Sequence, residues 1–461
     1  MFLVASSGVR AALLLAALAT GAIPLRAADE TDAEIRALRE QIRRLDERLR
    51  QLEQKQQLKE QETAAAKAAP KVSVTDKGFT FASADGANAV SIRGLVQLDS
   101  RLFFGDGGGI ANNTFVLRRA RPIVEGTLGK IYSFQFVSEF GGTGGPSILD
   151  ANWGVALSKA VQVKFGKFKA PVGLEWLQSD SWTFFDERSL ATNLVPNRDL
   201  GIQVSGSVRD GVVTYAAGVF NGVADGTTST NADFDNDKDV IGRLWLQPWK
   251  GHEGSPWRGL AFGAGASLGR NKTSSGLTAG YKTDGQQTFF RYRSGTAADG
   301  RIWRWSPQAE YRNGPFGAMG EYVVSAVNVR PAGGGAKTEL QNKAWHLAAG
   351  YVLTGEDSSY SGVIPRAPFS WEDGTWGAWE IAVRYANLQI DDRAFPLLAD
   401  PAANANEASA VGLGLNWYLS RTVRTTFDYY RTRFANKAPT SSNPILRQDE
   451  QAFITRFQLS F

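Results

Sequence analysis

The chain has 461 residues, of which 11% are aromatic, 49 are glycine and none is cysteine. The absence of cysteine excludes a disulfide framework, a thiolate metal site and a cysteine nucleophile. The formal net charge of +5 falls to +3 if Arg10 and Arg26 leave with an N-terminal signal, and so small an excess on so long a chain does not indicate nucleic-acid binding.

The N-terminal segment predicts an export signal. Arg10 precedes an uncharged apolar run, 11–25, that is too short to span a bilayer comfortably, and the small residues near Ala27 suit cleavage. An uncleaved membrane anchor is the alternative. We therefore assign 1–27 to a signal peptide and expect an exported chain whose membrane-spanning segments, if it has any, are strands.

A heptad pattern over 28–62 predicts a coiled-coil helix. Its apolar residues alternate between spacings of three and four: Ile35, Leu38, Ile42, Leu45, Leu49 and Leu52. One such stripe cannot bury itself, so the helix needs a partner, and the pattern does not decide between a dimer and a trimer. A lone amphipathic helix lying on the protein or on a membrane is the alternative. The alanine-rich segment 63–78 predicts a linker, in which Pro70 stops the helix.

From residue 79 onward the hydrophobic pattern follows the two-residue period of a strand. The final stretch, FITRFQLSF, places Phe453, Phe457 and Phe461 on one face of a strand and Arg456 on the other. Segments of about ten residues with one apolar and one polar or charged face are typical of a transmembrane β-barrel. A soluble β-sandwich is the alternative, which the charges on the polar face and the aromatic residues at strand ends disfavour.

Sixteen strands are predicted within 79–461, an even number and a porin-like size. They are 90–103, 114–128, 131–140, 151–159, 161–169, 200–209, 211–220, 239–247, 259–270, 301–312, 316–328, 343–353, 377–388, 408–419, 423–434 and 452–461. Connections after even-numbered strands are mostly short and those after odd-numbered strands longer, as expected for periplasmic turns and external loops. Only 248–258 and 354–376 break this rule. We expect an all-β, 16-stranded antiparallel transmembrane β-barrel, preceded by a short N-terminal periplasmic coiled-coil helix, with both termini in the periplasm.

A barrel of this size encloses a water-filled channel, so its selectivity depends on what narrows the lumen. The two longest external loops, 170–199 and 271–300, are the candidates. In the second loop, Arg291 and Arg293 lie on one side of an extended segment and would offer successive positions to a crossing anion. Solvation outside the pore is the alternative for these two arginines.

Basic residues of the predicted strands are candidates for the pore wall. They are Arg93, Arg101, Arg119, Arg121, Lys164, Lys167, Lys169, Arg209 and Arg384. Their alternative role is to pair with wall carboxylates such as Asp99, Glu125 and Glu139.

Several stretches resemble the phosphate-selective porin O and P family. They are LRRARPIVEGTL (117–128), FGKFKAPVGLEW (165–176), FFDERSL (184–190), YAAGVFNG (215–222), YVLTGEDSSY (351–360), GAWEIAVRYANLQIDD (377–392), GLNWYLSRTVRTTFDYYRTRF (414–434) and the terminal ITRFQLSF. The resemblance implies a trimeric outer-membrane porin whose pores are narrowed by external loops and by an inward-folded periplasmic turn, as 354–376 would be. It also implies an arginine ladder and constriction lysines. The last strand, which ends at Phe461, separately resembles the C-terminal signal that the barrel assembly machinery of Gram-negative bacteria recognises.

The 170–199 loop departs from the family pattern. It carries five acidic and two basic residues, a net −3, and 179–182 lacks the lysine of phosphate-specific members. The residues expected at the constriction are Glu175, Asp180, Arg188 and Arg198. We expect an anion-selective diffusion channel in a Gram-negative outer membrane, with phosphate or another small oxyanion as solute. A general or cation-preferring porin of the same fold is the alternative.

Other classes of function find little support in the sequence. The two histidines, His252 and His346, do not lie in a nucleophile motif, so neither an enzyme nor a cofactor is expected. The acids of 233–239 are spaced as in a calcium loop, but Lys238 replaces the required glycine, so no metal site is expected. A structural or adhesive barrel with a plugged lumen is the third option. Expected partners are two further copies of the chain, the outer membrane with its lipopolysaccharide, and peptidoglycan near the coiled coil.

Overall fold

The computed structural model describes residues 27–104, 111–142, 144–233, 235–272, 280–435 and 448–461. The chain divides into a first unit that ends at Ala69 and a second unit, Pro70–Phe461. The predicted signal peptide lies outside the described residues except for Ala27. In the described part of the chain, no helix is both long and apolar enough to cross a membrane.

The described part of the first unit, 27–69, contains one helix, α1 (Ala27–Ala68). The six apolar residues of its heptad stripe are all exposed in the single chain, from 47% at Ile35 to 66% at Leu52. An exposed apolar stripe of this kind is typical of a helix that packs against a partner, and the coiled-coil partner stays a prediction.

The structure differs from the predicted linker, 63–78. The helix continues to Ala68 because alanine is the best helix former, and it ends before Pro70. A hairpin of β1 (Lys71–Thr75) and β2 (Gly78–Ala82) follows, and β2 pairs with the beginning of the first barrel strand. The supposed linker is thus the end of a helix and a paired strand.

The barrel consists of sixteen antiparallel strands, which confirms the predicted number. The first nine are β3 (Ala89–Phe104), β4 (Thr114–Leu128), β5 (Tyr132–Glu139), β6 (Ser147–Ala156), β7 (Gln162–Lys169), β8 (Arg198–Val208), β9 (Val213–Phe220), β10 (Asp239–Leu246) and β11 (Leu260–Lys272). A separate ribbon comprises β12 (Tyr281–Lys282) and β13 (Thr288–Phe290). The remaining seven are β14 (Ala297–Asn313), β15 (Phe316–Arg330), β16 (Thr338–Val352), β17 (Ala378–Gln389), β18 (Glu407–Tyr418), β19 (Val423–Ala435) and β20 (Glu450–Ser460). Each barrel strand pairs with the next, and β20 pairs with β3 to close the barrel.

Side chains alternate between the outer surface and the lumen. On β20, Phe457 and Leu459 are 52% and 44% exposed, whereas Arg456 and Gln458 are buried. The apolar residues therefore cover the outside and the charged residues lie within, the reverse of a water-soluble barrel. Because its backbone is paired on both sides, this last strand does not fray.

One side of the lumen is apolar. A cluster of buried residues joins strands β15 to β17 with two loops, 170–197 and 280–296. The strands contribute Val323, Val327, Leu340, Ala344, Ala386 and Leu388. Leu190 of the first loop and Phe290 of the second are fully buried against them. Burying a large apolar side chain stabilises by roughly 1.5–3 kcal/mol, so both loops are anchored to this wall.

The connections differ in length at the two ends of the barrel, as predicted. We call the end that holds Ala89 and Ser460 the terminus end and the opposite end the loop end. Turns at the terminus end are short except for 247–259 and 353–377. The 353–377 turn folds into the lumen, where the Tyr360 hydroxyl donates to the Leu174 carbonyl at 2.7 Å. The 247–259 turn has an exposed tip and remains an unusually long connection.

Candidate pore and constriction

The 170–197 loop crosses the lumen and contacts opposite walls. It contains a short helix, α2 (Leu174–Leu177), and a 3-10 helix, Leu190–Leu194. At the start of α2, the amides of Leu174 and Glu175 donate to the Glu321 carboxylate of β15 at 2.8 and 3.1 Å. Apolar packing and these backbone hydrogen bonds fix the loop on the β15 side, from which its acidic residues reach the basic wall formed by β3 and β4.

A β-bulge allows three arginines of β4 to reach this loop. Arg119 is opposite Gln97 and Leu117 is opposite Leu98, so Arg118 is an extra residue in the register. A bulge re-aims the side chains around it. As a result Arg118, Arg119 and Arg121 all form ion pairs with carboxylates of the 170–197 loop.

Glu187 is one of the two anchors of the loop on the basic wall. Its carboxylate accepts from Arg118 Nε at 2.6 Å, from Arg456 Nη2 at 2.9 Å and from Arg101 Nη2 at 3.2 Å. Burial alone would raise the pKa of Glu187, but Arg118 and Arg456 outweigh burial and hold that pKa well below its usual range. Glu187 is therefore an ionised, fully paired carboxylate.

Asp180 is the second anchor. Its carboxylate contacts Arg119 Nη2 at 3.1 Å, and it also accepts short hydrogen bonds from Arg121 and Arg188. Burial raises the pKa of Asp180, yet Arg119 and Arg188 lower it further, and the pKa lies well below the usual value. We call Arg119, Arg121 and Arg188 the arginine cradle.

Glu175 lies near a histidine and a second glutamate on the apolar side of the lumen. One ligand atom from each of Glu175, Glu321 and His346 lies within 4.8 Å of the other two. These carboxylates already accept from backbone amides, and Glu175 also accepts from Ser189 Oγ at 2.6 Å and from Arg384 Nη1 at 3.2 Å. The group is thus explained as a hydrogen-bond network that holds the loop to β15, β16 and β17.

The 280–296 loop also folds into the lumen. Thr283 Oγ1 donates to Glu450 Oε1 at 2.7 Å, and Asp284 Oδ1 lies 3.0 Å from Arg384 Nη2.

The structure places Arg291 and Arg293 on one side of an extended segment, as predicted, with Tyr292 buried between them. Both arginines are exposed and face the 390–406 loop rather than the basic wall: Arg293 Nε donates to the Pro396 carbonyl at 3.1 Å, and the Arg291 amide donates to Asn404 Oδ1 at 2.6 Å.

The inward 353–377 turn meets the 170–197 loop from the terminus end. Gln178 Nε2 donates to the Tyr360 carbonyl at 2.9 Å. Gly362 has a φ of +90°, and an added Cβ would lie 2.0 Å from the Trp182 ring. The close approach of this turn to Trp182 therefore requires glycine for both its conformation and its size.

A cavity of about 880 Å³ opens between these segments and the basic wall at the terminus end. Its cationic lining residues are Lys77, Arg93, Arg121, Lys164, Lys169, Arg198, Arg243 and Arg421. Its acidic lining side chains are Asp76, Glu125, Asp150 and Asp180, and the C-terminal residue Phe461 also lines it. The cavity therefore has an excess of positive charge.

The candidate residues from the sequence occupy several different places. Arg93, Arg121, Lys164, Lys169, Arg198 and Asp180 line the cavity. Arg119 and Arg188 contact Asp180, and Glu175 contacts Arg384. Arg101 joins Asp99 and Glu187, and Lys167 is buried on β7. Arg209 was placed on a strand, but the structure places it in the exposed turn after β8, because the chain turns there with a positive φ at both Arg209 and Asp210.

Four arginines of the site are not among the candidates predicted from the sequence. Arg243 lines the cavity, and Arg118 and Arg456 bind Glu187. Arg424 donates to the carbonyls of Ser181 and Thr183 in the 170–197 loop. The alternation of β19 and β20 places Arg424 and Arg456 on the inner face, so the period of these strands was a usable signal. For Arg118 no such signal exists, because the bulge reverses its expected face.

The chain is similar to one family and to several outer-membrane proteins. It matches the family described as "Phosphate-selective porin O and P" over residues 90–461. It is 27% identical to Porin O of Pseudomonas aeruginosa over 422 residues, which cover 85% of this chain and 90% of that protein. The outer-membrane channel DcaP of Acinetobacter baumannii has a similar fold, with a TM-score of 0.52 at 10% identity over 81% of this chain and 98% of that one. The trimer form of OmpT of Vibrio cholerae gives a TM-score of 0.51 at 13% identity over 81% and 100%.

Proposed function

The chain belongs to the phosphate-selective porin O and P family of outer-membrane channels, and on this basis we propose that it conducts anions, with phosphate or another small oxyanion as its solute. Membership establishes a porin of the outer membrane. The charge preference and the solute are our proposal. Support for it comes from the cavity lining and, at modest identity, from the similarity to Porin O.

One observation carries the proposal: every acidic side chain that lines the cavity is already paired with an arginine. The pairs are Asp76–Arg421, Glu125–Arg93, Asp150–Arg198 and Asp180–Arg121. Four lining cations have no carboxylate oxygen within 4.0 Å among the described residues: Lys77, Lys164, Lys169 and Arg243. An anion that enters this space meets uncompensated positive charge, which attracts it and repels cations.

The acidity of the 170–197 loop does not oppose this proposal. Asp180 and Glu187 are bound by wall arginines, and Glu175 accepts from Arg384. The fourth acid, Asp186, is buried and accepts from the Tyr430 hydroxyl. These acids attach the loop to the wall and offer little charge to a permeating ion. The loop's formal charge therefore overstates its effect on the pore.

Lys164 is the residue we assign to first contact with the anion. It lines the cavity, and its ammonium group has no hydrogen-bonding or ionic partner among the described residues, although it lies 5.3 Å from the Phe168 ring centre. Lys169, by contrast, donates to the carbonyls of Trp176 and Gln178 at 2.8 Å each.

We assign Arg291 and Arg293, which are exposed at the loop end, to the capture of anions outside the constriction.

We further propose that the protein is a homotrimer with both termini in the periplasm and α1 acting as a short coiled coil between protomers. The exposed heptad stripe supports a partner for α1, and the trimer form of OmpT supports the assembly. Deletion of 32–62 tests the role of α1. We expect the trimer of the deletion variant to dissociate at a lower temperature on a native gel, and an unchanged temperature would remove that role.

Inhibition of chloride current by oxyanions tests the proposed solute. Purified protein in a planar bilayer is held in KCl, and phosphate or nitrate is added in steps. We expect phosphate to reduce the current at a lower concentration than nitrate, because a dianion gains more from the unpaired cations. A chloride current that neither anion reduces would contradict the assignment of an oxyanion solute.

A further inference from the structure

We propose that Asp180 is a built-in occupant of an oxyanion site, the arginine cradle, which opens on the cavity. In the wild-type protein this carboxylate keeps the cradle closed to permeating anions. Its removal would expose a site for a small carboxylate or another oxyanion. The proposal rests on the proposed function in one respect, since the anion must reach the cradle through the lumen.

The geometry of the cradle is that of an oxyanion site with its ligand in place. Arg119 and Arg188 reach one oxygen of the Asp180 carboxylate, and Arg121 reaches the other. Guanidinium groups that converge on a carboxylate provide strong, directional hydrogen bonds. Asp180 is 7% exposed, so solvent contributes little to its binding.

The arginines of the cradle are held by partners other than Asp180. Arg121 Nε binds Glu139 Oε2 at 2.5 Å, and Arg119 Nη1 donates to Gln97 Oε1 at 2.6 Å. Arg188 donates to the carbonyls of Glu175 and Gln178 at 3.0 and 2.7 Å. Glu187, the neighbour of Arg188 in the chain, still binds Arg118 and Arg456 of the wall when Asp180 is shortened. The cradle should therefore keep its shape, which makes it a preorganised site.

The cradle also has binding capacity that Asp180 does not use. Arg119 Nε is buried and has no hydrogen-bonding partner among the described residues. Three guanidinium groups share the charge of the Asp180 carboxylate, and among the described residues Glu139 is the one other carboxylate that forms an ion pair with them. Positive charge therefore remains in excess at the cradle, and a free anion could replace the side chain.

An anion in the cavity has a direct route to this site. Asp180 and Arg121 line the cavity, together with Ser179 and Ser181 on either side of Asp180 in the chain. A carboxylate removed from Asp180 would leave a gap continuous with the cavity. An anion of carboxylate size can enter this gap without displacing the loop.

Asp150 provides a matched control. It also lines the cavity, but it pairs with one arginine, Arg198, at 3.1 and 3.2 Å. Asp180→Ala and Asp150→Ala thus make the same change in charge within one cavity. Only Asp180→Ala empties a three-arginine cradle, so general charge effects and a specific site can be separated.

Formate is the probe, because it has the size of the carboxylate that Asp180→Ala removes. We measure the inhibition of chloride current by formate and by phosphate in the wild type, Asp180→Ala and Asp150→Ala. We expect formate to inhibit Asp180→Ala at a concentration at least about tenfold lower than it inhibits the other two proteins, an affinity gain of about 1.4 kcal/mol. Phosphate should follow formate if the cradle admits tetrahedral oxyanions, and inhibition by formate alone would restrict the site to carboxylates.

Equal inhibition of Asp180→Ala and Asp150→Ala by formate would overturn the proposal. It would show that the loss of one negative charge from the cavity, and not a specific site at Asp180, determines the inhibition. If Asp180→Ala does not assemble, Asp180→Ser replaces it, with folding judged from the heat-dependent gel mobility of the barrel. The proposed function fails separately: a cation-selective wild type would remove it, while saturable formate binding in Asp180→Ala would still support the cradle.

Discussion

Arg456 and Asp99 are direct cross-strand partners at the seam where β20 closes on β3, and they share two hydrogen bonds of 2.6 and 2.9 Å. The same arginine also binds Glu187 of the 170–197 loop at 2.9 Å. One buried side chain thus joins the first strand, the last strand and the constriction. The closure of the barrel and the position of the loop are therefore coupled.

Arg456→Met should destabilise the barrel. The substitution leaves Asp99 and Glu187 buried with fewer partners, and breaking a buried ion pair in this way costs about 3–5 kcal/mol. The free energy of unfolding in guanidinium chloride, with the protein in lipid vesicles, measures the effect.

Arg431→Met is the control for that substitution, because Arg431 pairs with Asp449 at a site where both side chains are at least one-third exposed. An exposed pair of this kind contributes about 0–1 kcal/mol. Equal losses in the two variants would show that the seam pair contributes no more than a surface pair.

The strand period was sufficient to predict the barrel. All sixteen predicted strands are present, because residues that face lipid on one side and the lumen on the other must alternate. β6, β14 and β16 begin four or five residues before the predicted positions. Backbone pairing extends these strands beyond the apolar band. A hydrophobic pattern cannot predict this extension, because the added residues do not alternate between lipid and lumen.

The details of the pore were less accessible from the sequence. Arg118 faces the lumen only because of a bulge, and the pairing of Asp180 with three arginines depends on how a 28-residue connection, 170–197, folds across the barrel. The acidic composition of the loop predicted a negative charge in the pore. It did not predict that arginines of the wall pair with Asp180 and Glu187. Arg291 and Arg293 have the predicted alternation, but the side of the loop that they occupy follows from the burial of Tyr292.

Lys164→Gln should lower the preference for anions. A unit charge about 8 Å from a permeating ion stabilises an anion and destabilises a cation by about 0.5 kcal/mol each in water, so the ratio of anion to cation permeability should fall about fivefold. Zero-current potentials in a KCl gradient report this ratio. Lys159→Gln is the control, because Lys159 is exposed in the turn before β7 and does not line the cavity. A similar fall in both variants would assign the effect to overall charge.

Shortening the inward turn should widen the channel. Replacement of 357–363 by two glycines removes Tyr360, which contacts Leu174 and Gln178, and Gly362, which lies against Trp182. We expect a higher single-channel conductance, because the turn occupies space beside the cavity. The same shortening of the exposed 247–259 turn should leave the conductance unchanged. A conductance that does not rise in the first variant would place the narrowest point elsewhere.

The docking of the 280–296 loop should weaken as the pH rises towards neutrality. Burial raises the pKa of Asp284 to about 6, although Arg384 opposes this. A carboxyl group whose pKa is higher in the folded state stabilises docking fully below about pH 4 and loses that contribution between about pH 4 and 6, on the order of 3 kcal/mol.

Electron paramagnetic resonance checks this pH dependence. The chain contains no cysteine, so a single cysteine introduced at Gln287 can carry a spin label. We expect the label to be more immobilised at pH 4 than at pH 7.5, and Asp284→Asn to abolish the difference. Asp400→Asn, an exposed acid near Arg293, should retain it. A pH-independent spectrum in the otherwise unchanged protein would contradict the role of Asp284.

The reversal potential of the wild-type protein in a planar bilayer under a KCl gradient tests the central claim most directly. All four acidic side chains of the cavity are paired with arginines, and four lining cations remain. We therefore expect a potential displaced towards the chloride equilibrium potential. A potential displaced towards that of potassium would contradict the account. It would mean that the acidic residues of the 170–197 loop, and not the basic wall, determine which ions pass.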